Sequence, residues 1–125
     1  MKKIVSTPEA PEAIGPYSQA VKVGNFIFTA GQIAINPDTQ QMVNGGIKAQ
    51  TEQVINNLKA VLKAAGFSLA DVVKADVFLK NLEDFAQMNE VYAQFFSASK
   101  PARTTVAVGD LPKGALVEIS VIATE

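Results

Sequence analysis

The chain has 125 residues, 48% of them apolar, with 11 basic and 12 acidic side chains and a formal net charge of −1. That length and apolar content fit one packed domain, not two domains and not a disordered chain. Balanced charge without a basic block argues against a nucleic-acid partner, and no 18-residue apolar run exists to span a membrane.

Cysteine and histidine are both absent. Disulfides, thiolate or imidazole metal ligands, cysteine or serine–histidine nucleophile systems and a histidine general base are therefore excluded. Any catalyst must be built from carboxylates, Arg, Lys, Tyr, hydroxyls, amides and backbone. Lys2 and Lys3 resemble the start of a signal peptide, but Pro8, Glu9, Pro11 and Glu12 interrupt any apolar segment, so the cytoplasm is the expected location.

In chain order, residues 2–5 read as a short strand, followed by a Pro- and Ala-rich loop to about Pro16. Gln19–Val23 and Phe26–Ala30 read as two strands joined by the two-residue turn Gly24-Asn25. Pro37-Asp38 marks a loop. Over residues 46–65, Ile47, Thr51, Val54, Ile55, Leu58, Val61, Leu62 and Ala65 recur at three- and four-residue spacing, which predicts a helix stopped by Gly66. Val72–Leu79 is a strand. Asn81 is expected to cap a second helix with Leu82, Phe85, Met88, Tyr92, Phe95 and Phe96 on its apolar stripe, ending before Pro101. Strands at about 103–109 and 116–124 flank the turn sequence Asp110–Gly114.

The order β-β-β-α-β-α-β-β describes an α+β fold, a mixed sheet of about six strands with two helices on one face. The other face needs cover, which predicts an oligomer whose sheets line a central barrel and whose sites lie in grooves between subunits.

Strand alternation puts Arg103, Thr105 and Ala107 on one face of their strand, and Glu118 and Ser120 opposite the apolar face of Val117, Ile119, Val121 and Ala123. If these two strands pair across the Leu111-Pro112 turn, Glu118 falls near Arg103 or Thr105, as a structural ion pair or as a site. Tyr17, in a bend fixed by Gly15 and Pro16, either lines a pocket or caps the core edge. Gly31-Gln32 at a strand end either admits a ligand to the backbone or marks a bulge. Asn89, within the second apolar stripe, needs a polar partner. Gly45-Gly46 before the first helix lacks the lysine or spacing of a phosphate loop. Met42, Met88 and the phenylalanines are expected in the core.

Taken together, these residues form a pattern. Pro101-Ala102-Arg103-Thr104-Thr105-Val106, Leu111-Pro112 and Val117-Glu118-Ile119 resemble the C-terminal signature of the Rid/YjgF family. The likeness extends through Ile14-Gly15-Pro16-Tyr17-Ser18-Gln19-Ala20, Gly24-Asn25, Ala30-Gly31-Gln32-Ile33, Asn57-Leu58, Ala64-Ala65-Gly66, Asp71–Lys74 and Phe85-Ala86 with Asn89 and Tyr92. It covers essentially the whole chain.

The resemblance implies a chorismate-mutase-like fold, a homotrimer with three intersubunit clefts, and cofactor-free hydrolysis of 2-iminopropanoate and 2-iminobutanoate to 2-keto acids and ammonia. It implies that Arg103 grips the substrate carboxylate, Glu118 handles the water and Tyr17 lines the cleft. Thr105 would supply backbone contacts, with Gly31 and Asn89 also in the substrate site. Thr105 stands where many members carry cysteine, and the mainly backbone role leaves activity expected. The segment Ser97–Lys100 lacks the aromatic residue often found before the proline, which bears on substrate preference.

A guanidinium offers two parallel donors to a carboxylate, and Glu118 beside that cation is expected to have a lowered pKa. Two other functions compete: a trimeric binding or sensor protein for small 2-keto acids, and the ribonuclease or translation-inhibitor activity attached to some relatives. Having both Arg103 and Glu118 favours hydrolysis, because carboxylate binding alone does not require the acid.

Overall fold

The computed structural model describes all 125 residues. Its strands are β1 (Lys2–Val5), β2 (Ala20–Val23), β3 (Phe26–Thr29), β4 (Ile35–Asn36), β5 (Gln41–Met42), β6 (Val72–Leu79), β7 (Ala102–Ala107) and β8 (Val117–Thr124). The helices are α1 (Gly46–Ala64) and α2 (Phe85–Phe96). The main sheet has six strands in the order β1-β2-β3-β8-β6-β7, and β4 and β5 form a separate small hairpin around Pro37-Asp38.

Helix α1 follows from its apolar stripe: Val54, Ile55, Leu58, Val61 and Leu62 are fully buried. Gly66 ends it at φ 86°, a left-handed conformation that costs glycine little. In β8 the alternation is realised as read, with Val117, Ile119, Val121 and Ala123 all buried against the helices. Ala75, Val77 and Leu79 of β6 join them in the same layer. Both helices therefore lie on one side of the sheet.

The other side is uncovered within the chain. Phe26 and Phe28 stand there 45% exposed each, with Ile4, Val23 and Val106 also exposed. This corrects the expectation that the phenylalanines fill the core: Phe67 and Phe96 do, whereas Phe26 and Phe28 point away from it. Nothing within the chain buries these side chains.

Two further expectations are corrected. The second helix begins at Phe85, after a 3₁₀ turn at Leu82–Asp84, and the Asn81 side chain makes no capping hydrogen bond. Leu82 is consequently exposed, outside the stripe.

More consequentially, β7 and β8 do not pair. The β6–α2–β7 segment is a crossover that returns β7 parallel to β6, and β8 inserts between β6 and β3. Arg103 registers with Ala75 and through it with Val121; Glu118 registers with Phe78 and through it with Val106. Paired residues share a face. Arg103 and Thr105 thus lie on the helix side and Glu118 on the uncovered side, so within one chain the sheet separates them.

Candidate active site

Two clusters of polar groups result. The first is a cavity of about 620 Å³ whose wall includes Pro11, Ile14, Tyr17, Gly31, Gln32 and Glu118. Tyr17 is 55% exposed and lines this cavity, which excludes the core-capping alternative. Gly31 packs against Glu118 so closely that a Cβ there would lie 2.8 Å from the Glu118 Cδ and 2.9 Å from its Cγ. Only glycine leaves that carboxylate its position. Gln32 continues the contact, its N–H donating to the Ile119 carbonyl at 2.9 Å and its carbonyl accepting from the Ile119 N–H at 3.1 Å.

Glu118 forms no ion pair in this chain. Burial pushes its carboxyl above the ordinary range. This overturns the expected lowering, which depended on a cation that the sheet order puts elsewhere.

Buried amides hold the cavity wall. The Gln19 side chain accepts from the Thr7 N–H at 2.7 Å and donates to the carbonyls of Thr7 at 3.1 Å, Ala10 at 3.4 Å and Pro11 at 2.8 Å. Asn57 of α1 donates to the carbonyls of Ile33 at 3.2 Å and Ile35 at 2.9 Å. Sequence reasoning gave neither residue a role. The signal was there for Gln19, a polar residue beside an inward-facing strand start.

The second cluster surrounds Arg103, the only arginine of the chain. Its Nη1 donates to Asn89 Oδ1 at 2.6 Å, and its Cζ lies 4.6 Å from the Tyr92 ring centroid and 5.5 Å from that of Phe85. Asn89 thus has the partner its place in α2 required. No carboxylate pairs with Arg103. The hydroxyls of Thr105 and Tyr92 are buried without hydrogen-bond partners. Burial raises the Tyr92 phenol, and Arg103 opposes the rise through both its charge and its close polar approach to the hydroxyl. Tyr92 was read only as a core residue, yet Phe85, Asn89 and Tyr92 fall on one helical face by their spacing of four and three. No three Asp or Glu side chains converge as a metal ion would require.

A family model described as endoribonuclease L-PSP matches residues 7–125. A RutC family protein of Pyrococcus horikoshii is 58% identical over 98% of this chain and 98% of its own. The chain belongs to the Rid/YjgF family. Another relative, the 2-iminobutanoate/2-iminopropanoate deaminase of Dermatophagoides farinae, is 50% identical over 97% of this chain and 94% of its own. The crystal structure of YyfA from Yersinia pestis, a Rid family protein of unknown function, superposes with a TM-score of 0.97 at 47% identity, covering all of both chains. The mixed sheet with two helices is thus the Rid fold. As in the sequence reading, no helix of this Rid chain is long and apolar enough to cross a membrane.

Proposed function

We propose that this Rid protein hydrolyses small 2-imino acids, 2-iminobutanoate and 2-iminopropanoate, in clefts formed where subunits of a homotrimer meet. One observation carries the reading: Arg103 is a held cation with no acid partner, and Glu118, in the cavity it shares with Tyr17, Gly31 and Lys113, is an acid with no ion-pair partner. Neither charge is paired within the chain, and the two lie on opposite faces of one sheet. The uncovered apolar face supplies the surface through which one copy would bring its Arg103 to its neighbour's Glu118.

In such a cleft the guanidinium receives the substrate carboxylate through parallel charge-assisted hydrogen bonds. Glu118 accepts a proton from water as the oxygen attacks the imine carbon. The same carboxyl hands that proton to the imine nitrogen, giving a carbinolamine, and then moves the hydroxyl proton to the amine as the C–N bond breaks, the C=O bond forms and ammonia leaves. The overall change is R–C(=NH)–COO⁻ plus water giving R–C(=O)–COO⁻ plus ammonia. Tyr17 closes one wall beside the reacting carbon, and the chain's own residues suffice without a cofactor.

The test generates 2-aminocrotonate from threonine with a dehydratase and follows imine loss. Wild-type protein should accelerate the loss, Arg103→Ala should abolish the acceleration, and Glu118→Gln should lower turnover while sparing 2-ketobutyrate binding. Full turnover by Arg103→Ala would overturn the reading. Ligand binding without any acceleration by the wild type would favour a sensor of small keto acids.

A further inference from the structure

An arginine meant to receive a ligand must be fixed in orientation and yet not neutralised. A long side chain on an edge strand otherwise samples many rotamers, and an acidic partner would take the charge that the ligand needs. The surroundings of Arg103 meet both requirements with neutral groups alone. We propose that Tyr92 is the positioning residue for Arg103, its ring forming a rigid shelf that, with the Asn89 carbonyl, holds the guanidinium plane while leaving its charge for a ligand carboxylate. This inference rests on the carboxylate-binding role given to Arg103 above.

Three observations support the shelf. The Tyr92 ring is 6% exposed and pinned by Phe96, with centroids 4.6 Å apart, so it cannot swing away. Arg103 Cζ lies 4.6 Å from the Tyr92 centroid, closer than to the half-open Phe85 ring at 5.5 Å. The Tyr92 hydroxyl makes no hydrogen bond of good geometry, although Arg103 lies near enough to lower its pKa, so the ring face is the main contact. A ring face attracts a guanidinium without neutralising it, and Asn89 adds a fixed acceptor at 2.6 Å in line with one N–H. Loss of the shelf therefore weakens carboxylate capture and leaves proton transfer at Glu118 untouched.

Tyr92→Met, which keeps an unbranched apolar side chain without a ring face, should raise KM and the Kd for 2-ketobutyrate about tenfold, with kcat within about threefold of wild type. Tyr92→Phe should restore both constants to within about twofold. Asn89→Asp, which supplies an acid of the same size, should capture Arg103 and weaken 2-ketobutyrate binding more than Tyr92→Met does. Wild-type KM and Kd in a folded Tyr92→Met protein would overturn the proposal, as would a loss confined to kcat. If Tyr92→Met does not fold, unchanged 2-ketobutyrate binding by Asn89→Asp overturns it instead. Arg103→Ala separates the two failures: if that variant keeps full turnover, the carboxylate-binding role itself is wrong.

Discussion

Gly31→Ala tests how tightly the acid is held in its cavity. The added Cβ would meet Glu118 Cδ at 2.8 Å and Cγ at 2.9 Å, against about 3.4 Å for an ordinary close contact, so these atoms must retreat by about half an ångström. The obstructing atoms belong to a flexible side chain, and Gly31 does not have positive φ. Alanine is therefore acceptable to the backbone, and the strain is relieved by moving Glu118. Forcing that side chain off its rotamer costs about 1 kcal/mol, a fall in Tm of about 4 °C for a domain of this size. The chemical cost is larger, because a displaced acid–base group forfeits its contribution of about 100-fold or more. Thermal unfolding and the coupled imine assay should thus give a folded protein with little turnover. In a Glu118→Ala background the obstruction is gone, and Gly31→Ala should then change Tm by about 1 °C or less. Wild-type turnover by the Gly31→Ala single variant would refute the assignment of Glu118 as the group that handles water.

Three further outcomes are expected. Because burial puts the folded Glu118 pKa above its unfolded value, the folded state holds more protons in that window, and stability falls as pH rises from about 4.3 through the folded pKa. Urea titrations should accordingly find Glu118→Gln gaining on wild type between pH 4 and pH 8, and a pH-independent difference would contradict the cause given. Gln19→Ala removes a buried side chain that makes four hydrogen bonds to residues 7–11, and should cost about 2–4 kcal/mol and roughly 10 °C in Tm. It should also expose residues 7–17 to limited proteolysis; a protease pattern and Tm like wild type would remove Gln19 from its clamping role. Phe28, its ring centroid 6.3 Å from that of Phe26 on the uncovered face, should not tolerate a charge there if that face joins subunits. Phe28→Asp is expected to run as a monomer by light scattering and to lose turnover, and an active trimer would count against the intersubunit cleft.

Much of this was readable from local pattern. Helix α1 and its glycine stop, and the strict alternation of β8, follow from spacing alone, because each element buries one face against the same core. The identity of the site residues came from the motifs around Tyr17, Arg103 and Glu118, which are contiguous in sequence. Sheet order was not readable. Nothing in residues 108–116 distinguishes a hairpin turn from a connection that crosses under β6, and the deciding contacts are distant ones: the Lys80 N–H to the Leu116 carbonyl and the Lys80 ammonium to Gly109 and Asp110. That single error put Glu118 next to Arg103 and reversed the direction of its pKa. Gln19 and Asn57 escaped for a related reason: an amide side chain that satisfies a remote backbone leaves no periodic trace.

The intervening sheet also acts as an insulator. An arginine and a glutamate of one chain within reach of each other would pair before any second copy arrived, leaving neither for a neighbour. Here β6 stands between the strands that carry them, and strand alternation, a property that no side-chain motion can undo, keeps the two side chains of a single chain on opposite faces.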